Sequence, residues 1–289
     1  GGARVALHAS VSVGEAVRPA GDDLQPGDAV FEPGEVLTPG HLGVLAGLGI
    51  SEVLAHPRPR VGVLSTGDEL VEAGRPLAPG QIRDSNRATL LALVAENGWA
   101  AVDLGLIRDD EAAITAAITE GAATCDAVLT SGGVSMGDID LVKVVLDRIG
   151  EMRWMQIAIR PAKPFAFGTV GERATPVFGL PGNPVSSMVS FELLARPALR
   201  HMAGHSALHR PSVPAVAEED FRRHPDGKTH FVRVRAERDA DGVVHVRSAG
   251  GQGSHHLTAM ARADALLPLP DGDGVSAGTP VRILPLTDV

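Results

Sequence analysis

Between Arg60 and His201, short apolar runs alternate with stretches of helical periodicity, and only a few residues separate one from the next. Residues 61–65, 101–107, 126–130 and 176–179 read as buried strands. Residues 85–98 read as a helix with Ser85 as N-cap, Leu90, Leu91 and Val94 as its apolar face, and Gly98 as its stop. Asp109-Asp110-Glu111 then opens a second helix at the positive end of its dipole, with Ile114, Ala117 and Ile118 facing inward and Gly121 ending it. A third covers 141–149, where Leu141, Val144, Val145 and Ile149 recur at helical spacing, and a fourth covers 185–201. Asn183 as N-cap and Pro184 in the first turn mark the start of the fourth. Strands alternating with helices across short loops predict an α/β fold: an open, mostly parallel sheet with helices on both faces. Strand-like segments 152–159 and 165–170 flank Arg160-Pro-Ala-Lys163-Pro.

The flanking regions read differently. Residues 5–17 alternate apolar and polar, which predicts a strand belonging to a preceding domain (1–18). Residues 19–59 are rich in Pro and Gly and predict a small domain of short strands and turns, with one helix from Pro39 to Leu48. The helix-bearing domain covers 60–205. From 206 to 289 helical periodicity vanishes, and runs 231–235, 243–247 and 281–284 alternate between Asp-Gly turns, which predicts a small β domain. Adjacent His255 and His256 are expected to point apart on an extended chain, which disfavours a zinc site. The 289 residues suffice for two or three domains, and 44% hydrophobic content with 3% aromatic and no Tyr predicts an aliphatic core. A net charge of -9 argues against nucleic acid or anionic membrane as partner. One cysteine, Cys125, excludes an internal disulfide and suggests a reducing compartment. No apolar run has the length of a membrane span, so a cytoplasmic location is expected.

The loop Thr130-Ser-Gly-Gly-Val-Ser-Met-Gly-Asp-Ile-Asp140 joins a strand to a helix. Gly132 and Gly133 remove side chains where a backbone must approach a ligand, and successive N–H groups there form an anion nest. Ser131 and Ser135 add hydroxyls, and Asp138 and Asp140 add carboxylates that suit a divalent cation. The alternative is a tight turn with Asp138 as N-cap. Ligands of open parallel sheets sit beyond the strands' carboxyl ends. Thr66, Gly67, Asp68, Glu69, Asp109, the 131–140 loop, Gly182 and Asn183 all fall there, with Arg160 and Lys163 as cations. No P-loop, dinucleotide fingerprint or nucleophile elbow is present, so a phosphorylated ligand held with a divalent cation is favoured over hydride transfer or acyl chemistry. Asp68-Glu69 as a helix cap, Asp109 as a capping acid and Lys163 as a solvated lysine remain as structural readings, and Asp22, Asp23 and Asp28 read as turn acids.

Five motifs in order carry a resemblance: Ser65-Thr-Gly-Asp-Glu-Leu70, Ile82-Arg-Asp-Ser-Asn86, Ser131 to Asp140, Pro161-Ala-Lys-Pro-Phe-Ala-Phe-Gly168, and Gly179-Leu-Pro-Gly-Asn-Pro-Val-Ser186. Together they resemble the molybdopterin molybdenumtransferase family, the MoeA and gephyrin E-domain group. The resemblance implies the last step of molybdenum cofactor synthesis, in which molybdate displaces AMP from adenylylated molybdopterin with the help of Mg²⁺. It implies active-site acids at Glu69, Asp109 and Asp140, which would also hold the metal, and a further acid at Asp23. It places Arg160 where a lysine is usual and Gln156 where another lysine is usual, and it assigns Arg233 and Ser254 to the β domain's approach to the site. Thr66, Gly67, Asp68, Ser85, Asn86, Ser131, Gly132, Gly133, Ser135, Pro181, Gly182 and Asn183 fall in the matching motifs and are expected to bind substrate, beside the catalytic cations Arg160 and Lys163. A homodimer, contact with the molybdopterin adenylyltransferase, and a further segment ahead of Gly1 are implied as well. Adenylyl transfer to molybdopterin and a non-catalytic scaffold are the alternative readings.

Overall fold

In the computed structural model, residues 2–6, 8–134 and 140–287 are described, and the chain divides into a unit of residues 1–49 and a unit of residues 50–289. The first unit contains one helix, α1 (Pro39–Gly47). Thr38 and His41 cap it, with Thr38 Oγ1 and His41 Nδ1 2.6 Å apart. The expected strand at 5–17 and the short strands of 19–59 do not form among the described residues. Val5, Val11, Val13 and Val17 are exposed. Alternation supplies a strand with an apolar face, but a strand also needs a neighbour's N–H and C=O groups to pair with.

In the second unit the chain runs β1 (Arg60–Thr66), β2 (Leu70–Val71), β3 (Ile82–Arg83), α2 (Asn86–Glu96), β4 (Ala100–Ile107), α3 (Glu111–Thr124), β5 (Ala127–Ser131) and α4 (Leu141–Ile149). It continues through β6 (Gly150–Gln156), β7 (Ile159–Arg160), β8 (Pro164–Val170), β9 (Thr175–Leu180), α5 (Pro184–Ser190), a π-helical turn (Phe191–Ala195) and α6 (Arg196–Met202). The main sheet has the order β4-β1-β5-β9-β8-β6. Its first four strands are parallel, and β8 and β6 run antiparallel at one edge.

Both faces of the sheet are buried, as all-apolar strands require. Val61, Val63, Leu129, Phe178 and Leu180 point to one side, against Leu90 and Val94 of α2, Phe191 of the π turn and Leu199 of α6. Leu64, Val128 and Val177 point to the other, against Ile114 and Ile118 of α3 and Val142, Val145 and Leu146 of α4. Each such side chain contributes roughly 1.5–3 kcal/mol on burial. Val144, expected on the inner face of α4, is exposed, and Val142 takes its place.

Three helix details depart from expectation. Gly121 does not end α3, which runs to Thr124. A Cβ at Gly121 would lie 2.6 Å from Leu104 Cδ1, so the glycine serves close packing of α3 on β4. The N-cap of α3 is Asp110, whose Oδ1 accepts from Ala113 N at 2.8 Å, and not Asp109. The helix expected at 185–201 is broken by the π turn just before Pro197, whose ring cannot fit an uninterrupted α ladder.

The remaining strands are β10 (Val213–Ala217), β11 (Phe221–Arg222), β12 (Thr229–Arg238), β13 (Val244–Ser248), β14 (Ala265–Leu269), β15 (Gly274–Val275) and β16 (Pro280–Pro285), with one short helix, α7 (Leu257–Ala261). The order β13-β10-β16-β14-β12 closes through a β12–β13 pairing into a five-stranded barrel. Asp241-Gly242 forms the β12–β13 turn, as its composition predicts. The run 152–159 is not one strand: Ile159 and Arg160 leave the main sheet and pair with Thr229 and His230 of the barrel. That crossing strand ties the barrel to the sheet.

Candidate functional site

The ends of β1 and β4 are held together by acids. Asp68 N donates to Asp109 Oδ2 at 3.4 Å, and Asp109 N donates to Asp68 Oδ1 at 3.3 Å. Arg108 Nε adds a contact to Asp68 Oδ1 at 3.4 Å. All three residues are exposed. Glu69 folds back over Gly67, where an added Cβ would lie 2.6 Å from Glu69 Oε2. Thr66, the last residue of β1, is buried beneath them.

The two glycine loops meet next to this corner. Gly132 N donates to Leu180 O at 3.1 Å, and a Cβ on Gly182 would lie 3.8 Å from Gly132 Cα. Gly133 has φ +75, and a Cβ there would lie 2.3 Å from that of Val142, so no other residue fits. Asn86 ties the loops to α2, its Nδ2 donating to Ser131 Oγ at 2.8 Å and to Gly182 O at 2.7 Å. Pro181 is buried beside them, while Gly182 and Asn183 are exposed. Ser85 and Asn183 occupy the N-cap positions of α2 and α5, and neither side chain makes a capping bond. Asp140 occupies the N-cap position of α4. Ser135 and Asp138 lie outside the described residues.

Asp84 and Arg87 support this corner and were not singled out from the sequence. Asp84 Oδ1 accepts from Ser65 Oγ at 3.1 Å and from Arg87 N at 3.2 Å. Arg87 in turn bridges Asp84, Asp103 and Glu72. Burial works against its charge, and the bonds to Asp103 and Asp84 outweigh that and raise its pKa.

A second concentration of charge lies at the barrel. Arg160, Arg222, Arg223, His224, His230, Arg233 and Gln252, with one acid, Asp226, line a cavity of about 490 Å³. Arg233 is only 1% exposed. Its guanidinium donates to backbone carbonyls alone: Phe231 O at 3.2 Å, Gly251 O at 3.4 Å and Gly253 O at 3.3 Å. Nε has no hydrogen-bond partner among the described residues. Burial, and then the neighbouring charge of Arg160, lower its pKa to about 10. Arg223 alongside is neutralised instead, by Asp226 and Asp271 at 2.8 Å each.

Ser254 joins the two regions, its carbonyl accepting from Val185 N in the first turn of α5 at 3.0 Å. Gln156, at the end of β6, and Lys163 are exposed, and Lys163 O accepts from Ile157 N. The rings of His255 and His256 do not point apart: the chain turns there and they meet edge-on at 4.2 Å. Asp23 lies exposed on a bend of the other unit. Among the described residues no group of three or more His, Cys, Asp or Glu is placed to hold a metal ion. No helix among them is long and apolar enough to cross a membrane.

Residues 62–201 match the family described as probable molybdopterin binding domain, and residues 214–286 match the MoeA C-terminal region (domain IV). The chain is 42% identical over 271 residues to the molybdopterin molybdenumtransferase of Haemophilus influenzae, covering 93% of this chain and 66% of that protein. It is 38% identical over 290 residues to molybdopterin molybdenumtransferase 2 of Mycobacterium tuberculosis, covering 98% of this chain and 70% of that protein. The chain thus spans about two thirds of the length of these curated relatives. The crystal structure of the molybdopterin biosynthesis MoeA protein from Pyrococcus horikoshii superposes with a TM-score of 0.76 at 29% identity, covering 93% of this chain and 65% of that one.

Proposed function

We propose that this chain, which belongs to the molybdopterin molybdenumtransferase family, inserts molybdenum from molybdate into adenylylated molybdopterin with release of AMP. The observation that carries the reading is Arg233: a guanidinium buried without a carboxylate partner among the described residues, in a cavity with Arg160 on its wall. A buried cation left without counter-charge is costly, and a tetrahedral dianion is the natural group to complete it.

The nucleotide-bearing substrate belongs at the sheet end. There the Gly133, Gly182 and Asn183 backbone offers donors, Gly132 N being taken by Leu180 O and Val185 N by Ser254 O. Arg160 and Lys163 supply charge as the phosphate leaves, with Thr66, Ser85, Asn86, Ser131 and Pro181 shaping the floor. Magnesium ordinarily takes one or two carboxylates and fills its shell with water and phosphate oxygens, so the exposed, adjacent Asp68 and Asp109 carboxylates fit it without an all-protein cage. Held by Asp109 with Asp68 beside it, Mg²⁺ would neutralise substrate phosphate oxygens, while Glu69 and Asp140, expected as further ligands, form no three-residue metal group with Asp109 among the described residues. Family membership also supports a homodimer and receipt of substrate from the molybdopterin adenylyltransferase; light scattering tests the first and transfer between the mixed proteins the second.

The decisive test is AMP release from adenylylated molybdopterin in the presence of Mg²⁺. Release that depends on molybdate is the expected result. Binding of the nucleotide with no AMP under either condition would overturn insertion by this chain and leave a binding module.

A further inference from the structure

The barrel strand β13 ends one rung too early to pair with Arg233. Its last ladder partner on β12 is Val234, opposite Ser248, and Ala249 N then donates to Arg233 O at 3.0 Å. Arg233 N has no strand to donate to. Gln252 fills that place with its side chain. Its Oε1 accepts from Arg233 N at 2.9 Å, and its Nε2 donates to Arg233 O at 3.0 Å. A primary amide carries the same donor and acceptor as a peptide, so Gln252 acts as one extra rung of β13.

The second Nε2 hydrogen holds the loop itself, through Gly250 O at 2.9 Å, with Ser248 Oγ 3.2 Å away as a shared contact. Gly251 and Gly253, on either side of Gln252, provide two of the three carbonyls that hold the Arg233 guanidinium. One residue further on, Ser254 O meets the start of α5. Both ends of Arg233 therefore depend on one side chain: its backbone directly, and its guanidinium through the flanking carbonyls.

We propose that Gln252 is a positioning residue for Arg233, holding the 250–253 loop so that the guanidinium faces the cavity and sets the affinity for a tetrahedral oxyanion. This rests on the reading of the cavity given above.

The test is calorimetric titration of the chain with sodium molybdate alone, together with thermal melts. The proteins compared are wild type, Gln252→Leu, Gln252→Glu, Arg233→Met, and each Gln252 variant combined with Arg233→Met. Gln252→Leu removes donor and acceptor together, whereas Gln252→Glu keeps the shape and the acceptor for Arg233 N but loses both donations to carbonyls. Each is expected to weaken molybdate binding about tenfold, the order of one lost hydrogen bond to a charged group. In the Arg233→Met background neither should weaken it further, since Gln252 then has nothing to position. A Gln252 variant that melts lower but binds molybdate as wild type does would overturn the inference, as would additive losses in the double variants. If Arg233→Met itself leaves molybdate binding unchanged, the reading of the cavity falls and the inference with it.

Discussion

At the carboxyl end of the main sheet, Asn86 Nδ2 has two acceptors, Gly132 N has the Leu180 carbonyl, and Asp68 and Asp109 accept each other's amides. In the barrel, Arg233 is more deeply buried than Asn86, Asp68 or Asp109, yet it is offered carbonyl oxygens only and keeps a bare Nε. The bonds named in the first region complete one another, so removing one breaks the scaffold, and the unpartnered atoms there are neutral hydroxyls such as Thr130 Oγ1. The second leaves a charge incompletely met, so removing it relieves the fold and disables whatever the charge was kept for. A buried group that the protein does not itself complete is the better indicator of a ligand.

That contrast can be broken most directly at Arg233. Arg233→Met should weaken molybdate binding by roughly tenfold to a hundredfold, the range for charge-assisted hydrogen bonds, while the melting temperature stays level or rises. Calorimetry and a thermal melt on the same sample decide it, and a variant that loses stability but binds normally would put Arg233 among the scaffold residues. The wild-type protein sharpens the point through pH. Because the Arg233 pKa is lowered to about 10, the group is charged at neutral pH, and oxyanion affinity should fall as pH rises through that value. A flat profile there would assign the affinity to another cation.

Asn86→Ala should show the opposite balance. It leaves the Ser131 hydroxyl and the Gly182 carbonyl without their shared donor and should cost about 1–3 kcal/mol in urea unfolding. Unchanged stability would mean that water replaces the amide. Asp109→Asn, at an exposed position, should alter stability by less than about 0.5 kcal/mol while raising the Mg²⁺ concentration needed for half-maximal AMP release. An unshifted Mg²⁺ dependence would remove Asp109 from the metal set. The smallest effect on function is expected at Asp110→Ala, which removes the α3 cap bond to Ala113 N and should cost about 1 kcal/mol of stability with no change in molybdate affinity.

Much of the fold was legible because it rests on local pattern. The helix at 141–149 has the expected bounds, the strand read at 101–107 begins one residue earlier, and that read at 126–130 is displaced by one. Where reading failed, a distant partner made the decision. Gly121 passes for a helix stop until Leu104 of β4 lies against it. Residues 5–17 pass for a strand, but pairing is a property of two segments. Residues 152–159 pass for one strand, and the barrel takes Ile159 together with Arg160. The candidate site divides in the same way. The glycine pair and the acids at strand ends stand out because their residue types and positions are local facts, whereas Asp84 and Arg87 gain their places through bonds to Ser65, Glu72 and Asp103.

By itself, then, the sequence determined the alternation of strand and helix, the burial of the sheet on both faces, the turns of the barrel, and the motifs by which the family is recognised. These follow from hydrophobic period, steric freedom at glycine and residue chemistry, all short-range properties. Tertiary structure alone decided that Asn86 meets Gly182 across 96 positions, that the buried Arg233 guanidinium bonds to carbonyls and to no acid among the described residues, and that Gln252 stands in for a missing strand rung. Burial and hydrogen-bond completion depend on which distant groups arrive together, and no local pattern carries that information.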